Sequence, residues 1–267
     1  MVIPCPTLNK WPPPCLVLPR SSPLPPLSPP PRRTRSFFCC VSRRSTLARI
    51  QSSGVIACLR ATSADLAMEA ARAALIGGIS VVLQQLVHDY PTTVLGVGTV
   101  LSVKDAKKAV GAGAKFLMSP AMVKDVMDGF QSGEVLYIPG AMTPTEILSA
   151  HDAGAKMVKV YPVSALGGVK YISAIKKPFP HISMVASQGI TVDSIGEYIA
   201  KGASSVVLSD AIFNKEAMGE KNFEAIHKLA SFAAMQGKEA VEGVALFVVA
   251  DIAELRVKME LGKFIDY

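Results

Sequence analysis

Acidic residues are absent from the first 64 positions of this 267-residue chain, and Asp65 is the first of them. The same 64 positions hold nine Lys or Arg residues, and 12 of the 19 prolines fall within residues 1–31. An acid-free leader rich in arginine, serine and proline is typical of an organelle transit peptide. We therefore predict that residues 1–50 are a disordered transit peptide, cleaved between about Phe38 and Gly54.

The leader indicates import into a chloroplast, with a mitochondrion as the alternative; a basic tail that binds nucleic acid is the competing interpretation. Without the leader the charge changes sign: the whole chain carries +7, whereas residues 65–267 hold 19 Lys/Arg against 21 Asp/Glu. A near-neutral folded part without a basic patch and interleaved aromatics argues against a nucleic-acid partner.

Cysteine and histidine are scarce in the folded part. Four of the five cysteines lie in residues 1–40, which leaves Cys58, and the four histidines are scattered. This excludes a disulfide framework and a cysteine-based metal site, and the histidines have no metal-ligand spacing. No metal is expected, and we also expect no cofactor. The leader holds no apolar run of about 20 residues, and no membrane partner is expected.

Eight short apolar runs alternate with helical patterns from Gly54 to Met235, and glycines that end helices come directly before strands at Gly78, Gly113, Gly154 and Gly202. Repeated βα units with apolar strands imply a parallel sheet covered by helices. Eight units favour an α/β fold of the (β/α)₈ barrel type, over residues 54–236, with an open doubly wound sheet as the alternative. Residues 237–267 form an extension that is either an extra helix packed on the barrel or read-through sequence.

The second βα unit is too short. Gly78 and Gly98 are 20 positions apart, whereas Gly113 and Gly154 are separated by about 40. Leu83–Tyr90 leaves barely two helical turns between strands two and three. We infer that roughly a dozen residues are missing here, through a skipped exon or an error in the gene model.

Lys159 lies in the middle of an apolar strand, Lys156–Pro162, whose alternation places Met157, Lys159 and Tyr161 on one face. A buried lysine is either salt-bridged in a core, extended to water at an edge, or a nucleophile with a lowered pKa. In a barrel the C-terminal strand ends converge on one mouth, which favours the third interpretation. The other segments at these ends are Thr99, Ser119-Pro120, Pro139-Gly140, Ser187-Gln188-Gly189 and Ser209-Asp210.

Several motifs in order carry a family resemblance: Cys58-Leu59-Arg60-Ala61, Gly96–Leu101, Ser119-Pro120, Pro139–Glu146 and Lys159-Val160-Tyr161-Pro162. With them the chain resembles the plant branch of the 2-keto-3-deoxy-6-phosphogluconate / 4-hydroxy-2-oxoglutarate aldolases, over about Gly54 to Met235. The resemblance implies a homotrimeric class I aldolase that acts on a 2-oxo acid without a metal.

The resemblance also implies residue roles. Lys159 would be the Schiff-base lysine, Thr99 would bind the pyruvate carboxylate, Arg60 would face the anionic end of the substrate and Pro120 would shape the pyruvate pocket. Ser187, Gly189 and Ser209 would lie at the end of the substrate where the family binds phosphate. The products would be pyruvate and an aldehyde, glyceraldehyde 3-phosphate or glyoxylate.

Two departures from the family pattern leave alternatives open. Strand two carries no glutamate, although the family's proton-transferring glutamate ends that strand, and Gln188 and Asp210 replace residues of the family's glycine-rich phosphate loops. The chain is therefore an active aldolase, an impaired homologue that binds a 2-oxo acid, or a non-covalent isomerase or synthase. An imine at Lys159 would also allow a decarboxylase side activity.

Overall fold

The strands of the barrel form where the short apolar runs lie. The computed structural model describes residues 43–83, 93–130 and 133–262. Its strands are β1 (Val55–Cys58), β2 (Val81–Leu83), β3 (Val94–Val97), β4 (Phe116–Met118), β5 (Leu136–Ile138), β6 (Gly140–Ala141), β7 (Val158–Val160), β8 (Met184–Ser187) and β9 (Ser205–Leu208). The apolar runs Val94–Val97 and Ser205–Leu208 predict strands three and eight, and the structure has the same bounds for β3 and β9.

All neighbouring strands are parallel, in the order β5-β4-β3-β2-β1-β9-β8-β7-β6. The two ends of this order, β5 and β6, are separated along the chain by Pro139 alone. They are therefore two halves of one bent strand, which pairs with β4 on one side and β7 on the other. This strand closes the sheet, so the (β/α)₈ barrel is confirmed and the open doubly wound sheet is excluded.

Helices lie between most successive strands, with one further helix before β1 and two after β9. They are α1 (Arg43–Ser53), α2 (Ala64–Ile76), α3 (Val103–Gly111), α4 (Lys124–Phe130), α5 (Pro144–Asp152), α6 (Val169–Lys176), α7 (Ile195–Ala200), α8 (Lys215–Gly219) and α9 (Phe223–Gly262). Two 3₁₀ turns, Val163–Leu166 and Val192–Ser194, follow β7 and β8. No helix among the described residues combines the length and hydropathy needed to cross a membrane.

Two separate apolar clusters follow from strand alternation. One fills the barrel interior and includes Ile56, Phe116 and Val185. The other lies between the sheet and the surrounding helices and includes their chain neighbours Ala57, Leu117 and Ala186. Because successive strand residues point to opposite faces, each strand contributes to both clusters. The inward positions at the C-terminal strand ends are thus left to form the site.

The predicted disorder of residues 1–50 does not hold for residues 43–50, since these belong to α1. Ile50 is fully buried and packs into the interior cluster, with Leu47 against it, and Thr46 is also fully buried. Helix α1 precedes β1 and contacts strands β1, β2, β5 and β9, so it covers the end of the barrel where the strands begin. The folded part therefore starts before the predicted boundary at Gly54. Residues 1–42 lie outside the described residues.

The C-terminal extension is not a separate element. Helix α9 runs without interruption through 40 residues, so residues 237–262 continue the last helix of the barrel. The segment is therefore helical but not an additional helix, and the read-through alternative stays a prediction. Residues 263–267 lie outside the described residues.

The second βα unit is short because few residues separate β2 from β3. β2 pairs in parallel with both β1 and β3, as a complete barrel requires. Yet β2 ends at Leu83 and β3 begins at Val94, which leaves residues 84–93 for the crossover. Parallel neighbours usually need a connection of about a dozen residues or more, commonly containing a helix. Residues 84–92 lie outside the described residues, including most of the predicted Leu83–Tyr90 segment.

Candidate active site

Lys159 is the central residue of β7 and lies on its inward face. Met157, two positions earlier, belongs to the interior cluster, whereas Val158 and Val160 belong to the outer one. The Lys159 backbone N–H donates to the Pro139 carbonyl at 2.8 Å. The strand therefore fixes the backbone of Lys159, and alternation directs its side chain into the mouth of the barrel.

The surroundings of the Lys159 ammonium favour its neutral form. Burial is the largest effect and lowers the pKa of Lys159; Arg60 lowers it further, while a Cys58 thiolate would raise it. The Tyr161 ring lies under Nζ, 4.6 Å from its centroid, and favours the charged form through a cation–π contact. A half-buried amine with a lowered pKa is the chemistry that attack on a carbonyl carbon requires.

Cys58 is a site residue that the sequence analysis did not identify as one. Burial is the largest effect on its thiol and raises the pKa. The charges of Arg60 and Lys159, and side-chain hydrogen bonds with Ser209 and Arg60, lower the pKa by less. The thiol is therefore held neutral near pH 7, beside the amine. Strand alternation was the signal available, since it places Cys58 and Arg60 on the same face of strand one.

Lys159 lies in the middle of β7, and the other predicted site residues lie at or just beyond the C-terminal ends of strands. The interactions of Cys58 bring Lys159, Arg60 and Ser209 together directly. The others are distributed around the same rim: Thr99 after β3, Pro120 after β4, Ser187 at the end of β8 and Gly189 just beyond it. Thr99 is exposed and Ser187 is buried, with 4% of its surface exposed.

Ser119 shapes the loop after β4 rather than facing the mouth. Its hydroxyl is buried, donates to the Ala121 carbonyl at 2.6 Å, and lies 2.7 Å from the Tyr137 hydroxyl. Tyr137 in turn accepts from the Val123 N–H at 3.1 Å. This chain of hydrogen bonds fixes the backbone on both sides of Pro120.

A cavity of about 530 Å³ lies between the loop after β4 and the start of α5, and it is lined by Tyr161, whose ring contacts Lys159. Pro120, Gly140 and Tyr161 line it. A Cβ atom at Gly140 would lie 2.1 Å from the Pro120 carbonyl, so only glycine allows this approach. The bend between β5 and β6 therefore brings the Pro120 loop against the strand that pairs with Lys159.

The start of α5 forms the other wall of this cavity and carries a capping box. The Thr143 hydroxyl accepts from the Glu146 N–H, and the Glu146 carboxylate accepts from the Thr143 N–H at 2.9 Å and the Met142 N–H at 2.6 Å. These backbone hydrogen bonds lower the pKa of Glu146. Glu146 is thus engaged in capping and is not a free base for the site.

No carboxylate acts on Lys159 within the described part of the chain, where the charges that influence it are those of Cys58 and Arg60. Strand β2 ends at Leu83 and supplies no acidic side chain. The described residues also contain no group of three or more His, Cys, Asp or Glu side chains that could hold a metal ion.

A closed (β/α)₈ barrel with a half-buried amine at its mouth defines a site of the imine-forming type. Residues 48–229 match the model of the KDPG and KHG aldolase family. The chain belongs to this family.

Curated relatives agree with the match. A 2-dehydro-3-deoxy-phosphogluconate aldolase of Pseudoalteromonas atlantica is 33% identical over 146 residues, which are 50% of this chain and 68% of the relative. The KHG/KDPG aldolase of Escherichia coli is 29% identical over 61% of this chain and 74% of its own length.

Among solved structures, the KDPG aldolase of Legionella pneumophila is 25% identical with a TM-score of 0.64, over 71% of this chain and 96% of that protein. That crystal structure holds pyruvate as a covalent carbinolamine intermediate.

Proposed function

We propose that this chain is a class I aldolase, a lyase that cleaves a 4-hydroxy-2-oxo acid to pyruvate and an aldehyde through an imine on Lys159. The observation that carries the proposal is the half-buried Lys159 amine at the barrel mouth, whose pKa is lowered by burial. The curated relatives act on 2-keto-3-deoxy-6-phosphogluconate or 4-hydroxy-2-oxoglutarate by name, and the substrate here shares the 4-hydroxy-2-oxo acid group of both.

The reaction balances around one amine. Neutral Lys159 adds to the keto carbon, and the carbinolamine loses water to form an iminium ion. The bond between C3 and C4 then breaks, its electron pair moves toward the iminium nitrogen, and C4 leaves as the aldehyde once its hydroxyl proton is lost. The enamine takes a proton at C3, and water hydrolyses the imine to free pyruvate and Lys159.

The other roles follow the family resemblance and the positions on the rim. Thr99 binds the pyruvate carboxylate, Pro120 bounds the pyruvate pocket and Arg60 faces the anionic part of the substrate. Arg60 is the one of these three whose charge acts directly on Lys159. Ser187, Gly189 and Ser209 lie toward the aldehyde end.

A second candidate is an impaired aldolase that binds a 2-oxo acid without efficient turnover. The crossover of residues 84–93 favours it, because it is short for a parallel connection and β2 ends without the expected glutamate. Loss of a general acid or base typically costs about 10²–10⁴ in rate.

We attribute the short crossover to a deletion of about a dozen residues after Leu83. Sequencing the transcript across Val82–Leu83 tests this. A longer message supports the deletion, and a single abundant message encoding only this junction contradicts it.

Assembly as a homotrimer and a plastid location remain part of the proposal. The family resemblance supports the trimer, and the acid-free segment before Asp65 supports import. Sedimentation equilibrium tests the first, and import of a fluorescent fusion into isolated chloroplasts and mitochondria tests the second.

Pyruvate release tests the activity. The full chain should release pyruvate from a 4-hydroxy-2-oxo acid, detected by coupled reduction to lactate, and Lys159→Arg should abolish release. An equally active Lys159→Arg variant would contradict the covalent mechanism and favour a non-covalent isomerase or synthase.

A further inference from the structure

The loops that follow β8 and β9 decide what the far end of the substrate carries. Because β5 and β6 are halves of one strand, β8 and β9 are the seventh and eighth strands of the barrel. In (β/α)₈ barrels the loops after these two strands frequently bind a phosphate, through free backbone N–H groups at a turn or helix start. Here these loops carry features that disfavour such a group.

The loop after β8 carries a long side chain where a bare backbone would suit an anion. Gln188 has a left-handed backbone with φ of 86°. Its side-chain oxygen accepts a hydrogen bond from the Ser164 hydroxyl, which ties it to the 3₁₀ turn after β7. Ser164 also lies against Gly189, where an added Cβ would be 2.5 Å from the Ser164 Cβ. A ligand therefore meets an exposed amide side chain at this loop.

Four backbone donors further along the two loops have partners inside the protein. In the loop after β9, the N–H groups of Ile212 and Phe213 both donate to the Ser209 carbonyl, at 3.0 and 2.8 Å. The Ala217 N–H at the start of α8 donates to the Asn214 side chain at 2.7 Å. In the loop after β8, the Thr191 N–H donates to the Ser194 hydroxyl at 3.1 Å. These four donors cannot serve a phosphate without losing an internal bond.

The loop after β9 also carries an exposed carboxylate. Asp210 is exposed and follows Ser209 directly, with 3.5 Å between the Ser209 hydroxyl oxygen and the nearer carboxylate oxygen. A phosphate dianion beside it would meet repulsion that two unit charges at this range retain even near a protein surface. A sugar hydroxyl would instead find an acceptor in Asp210 and both a donor and an acceptor in the Gln188 amide.

We infer that the substrate of this barrel is a 4-hydroxy-2-oxo acid whose far end is uncharged and hydroxylated, not phosphorylated, and that Gln188 and Asp210 determine this specificity. The inference rests on the proposed Schiff-base cleavage, since Lys159 holds the keto end in either case. The aldehyde released is then a neutral hydroxyaldehyde.

The test is a competition between 2-keto-3-deoxygluconate and its 6-phosphate ester for the imine on Lys159. Borohydride quenching within the first turnover reduces the uncleaved imines, and these two adducts differ by the mass of the phosphate. Cleavage of either sugar acid leaves the same pyruvyl adduct, so pyruvate release from each sugar acid alone is measured as well. We expect the neutral adduct to exceed the phosphorylated one by about tenfold or more at equal concentrations.

Variants assign the preference to the two side chains. Gln188→Gly combined with Asp210→Asn should shift the adduct ratio toward the phosphate ester by about tenfold or more, while pyruvate trapping on Lys159 stays unchanged. Asp152→Asn changes the net charge equally at the end of α5, on the opposite face of the barrel, and should leave the ratio unchanged.

The failures are distinguishable. Absence of any adduct with pyruvate alone contradicts the Schiff-base proposal itself. When pyruvate is trapped normally, three outcomes contradict the specificity inference alone. The unmodified chain prefers the phosphate ester, neither sugar acid forms an imine, or the double variant leaves the adduct ratio unchanged.

Discussion

At the scale of single residues, the site depends on what surrounds one amine. Burial is the main cause of the lowered pKa of Lys159, and the Arg60 guanidinium adds to it. A lowered pKa for an amine means that the charged form is the less favoured one in the folded protein. The neutral, nucleophilic form is therefore gained at lower pH than for a lysine in water.

The Arg60→Gln variant should raise the pKa of Lys159, because it removes a neighbouring positive charge. The neutral fraction of the amine at pH 7 then falls, so the pH profile of borohydride trapping with pyruvate should move to higher pH. Lys201→Gln, an exposed lysine that ends α7 away from the mouth, should leave the profile in place. An unshifted profile in Arg60→Gln would show that Arg60 does not lower the pKa of the Lys159 amine and that burial alone does.

Residue types and strand alternation predicted which residues belong to the site, but not all of the contacts between them. Alternation placed Lys159 and Tyr161 on one face, and the structure brings the Tyr161 ring to 4.6 Å from Nζ. Cys58 as a neighbour of Lys159 was missed, because the two lie on strands β1 and β7, with β9 and β8 between them. Contacts across the mouth depend on barrel closure, which no local pattern encodes.

At the scale of elements, α1 is the largest departure from expectation. Its 11 residues include only two buried side chains, Thr46 and Ile50, so its sequence carries a weak helical pattern inside an arginine- and serine-rich segment. Packing against the barrel interior stabilises it, as tertiary burial commonly stabilises short helices. The segment β6 was missed for a related reason, since two residues, Gly140-Ala141, carry no periodicity.

Ile50→Ala should destabilise the barrel by about 2–5 kcal/mol, because it opens a cavity under the interior cluster. Thermal or denaturant unfolding of the full chain measures this. Arg44→Ala, on the exposed side of α1, should change stability by less than about 0.5 kcal/mol. Equal effects of the two substitutions would show that α1 does not pack as described.

Thr46→Val should be neutral or stabilising by up to about 1 kcal/mol. The Thr46 hydroxyl is fully buried and has no hydrogen-bond partner among the described residues, so replacing it with a methyl group of similar volume removes an unsatisfied polar atom. A loss of more than about 1 kcal/mol on unfolding would indicate a bound water or another partner at this hydroxyl.

At the scale of the whole molecule, two glycines allow the last helix, α9, to contact the segment before β1 closely. An added Cβ at Gly237 in α9 would lie 2.6 Å from Val55 and 2.7 Å from the Ser53 carbonyl oxygen, and one at Gly54 would lie 2.6 Å from the Gly237 carbonyl oxygen. Helix α9 therefore packs backbone to backbone against the entry to β1. This close packing holds α9 at Gly237 against the barrel.

Gly237→Ala should destabilise the protein by about 1–3 kcal/mol, since the new methyl group meets backbone that cannot move freely. Gly243→Ala, six residues further along the same helix, meets nothing within 4 Å and should stabilise it by up to about 1 kcal/mol. Denaturant unfolding of the pair separates packing from helix propensity. Stabilisation by both substitutions would contradict the described contact.

The barrel itself followed from the sequence, because eight apolar runs separated by helix-ending glycines specify repeated parallel βα units. The second unit departs from that repeat and was recognised by its length alone. The proposed function requires that Lys159 forms an imine although the second βα unit is short.

Incubation of the full chain with pyruvate and borohydride, followed by mass mapping of the modified lysine, tests this most directly. We expect one reduced pyruvyl adduct, on Lys159, which disappears in Lys159→Arg and persists in Lys156→Arg, an exposed lysine three positions earlier. A folded protein that gives no adduct on Lys159, or an adduct on another lysine, would contradict it.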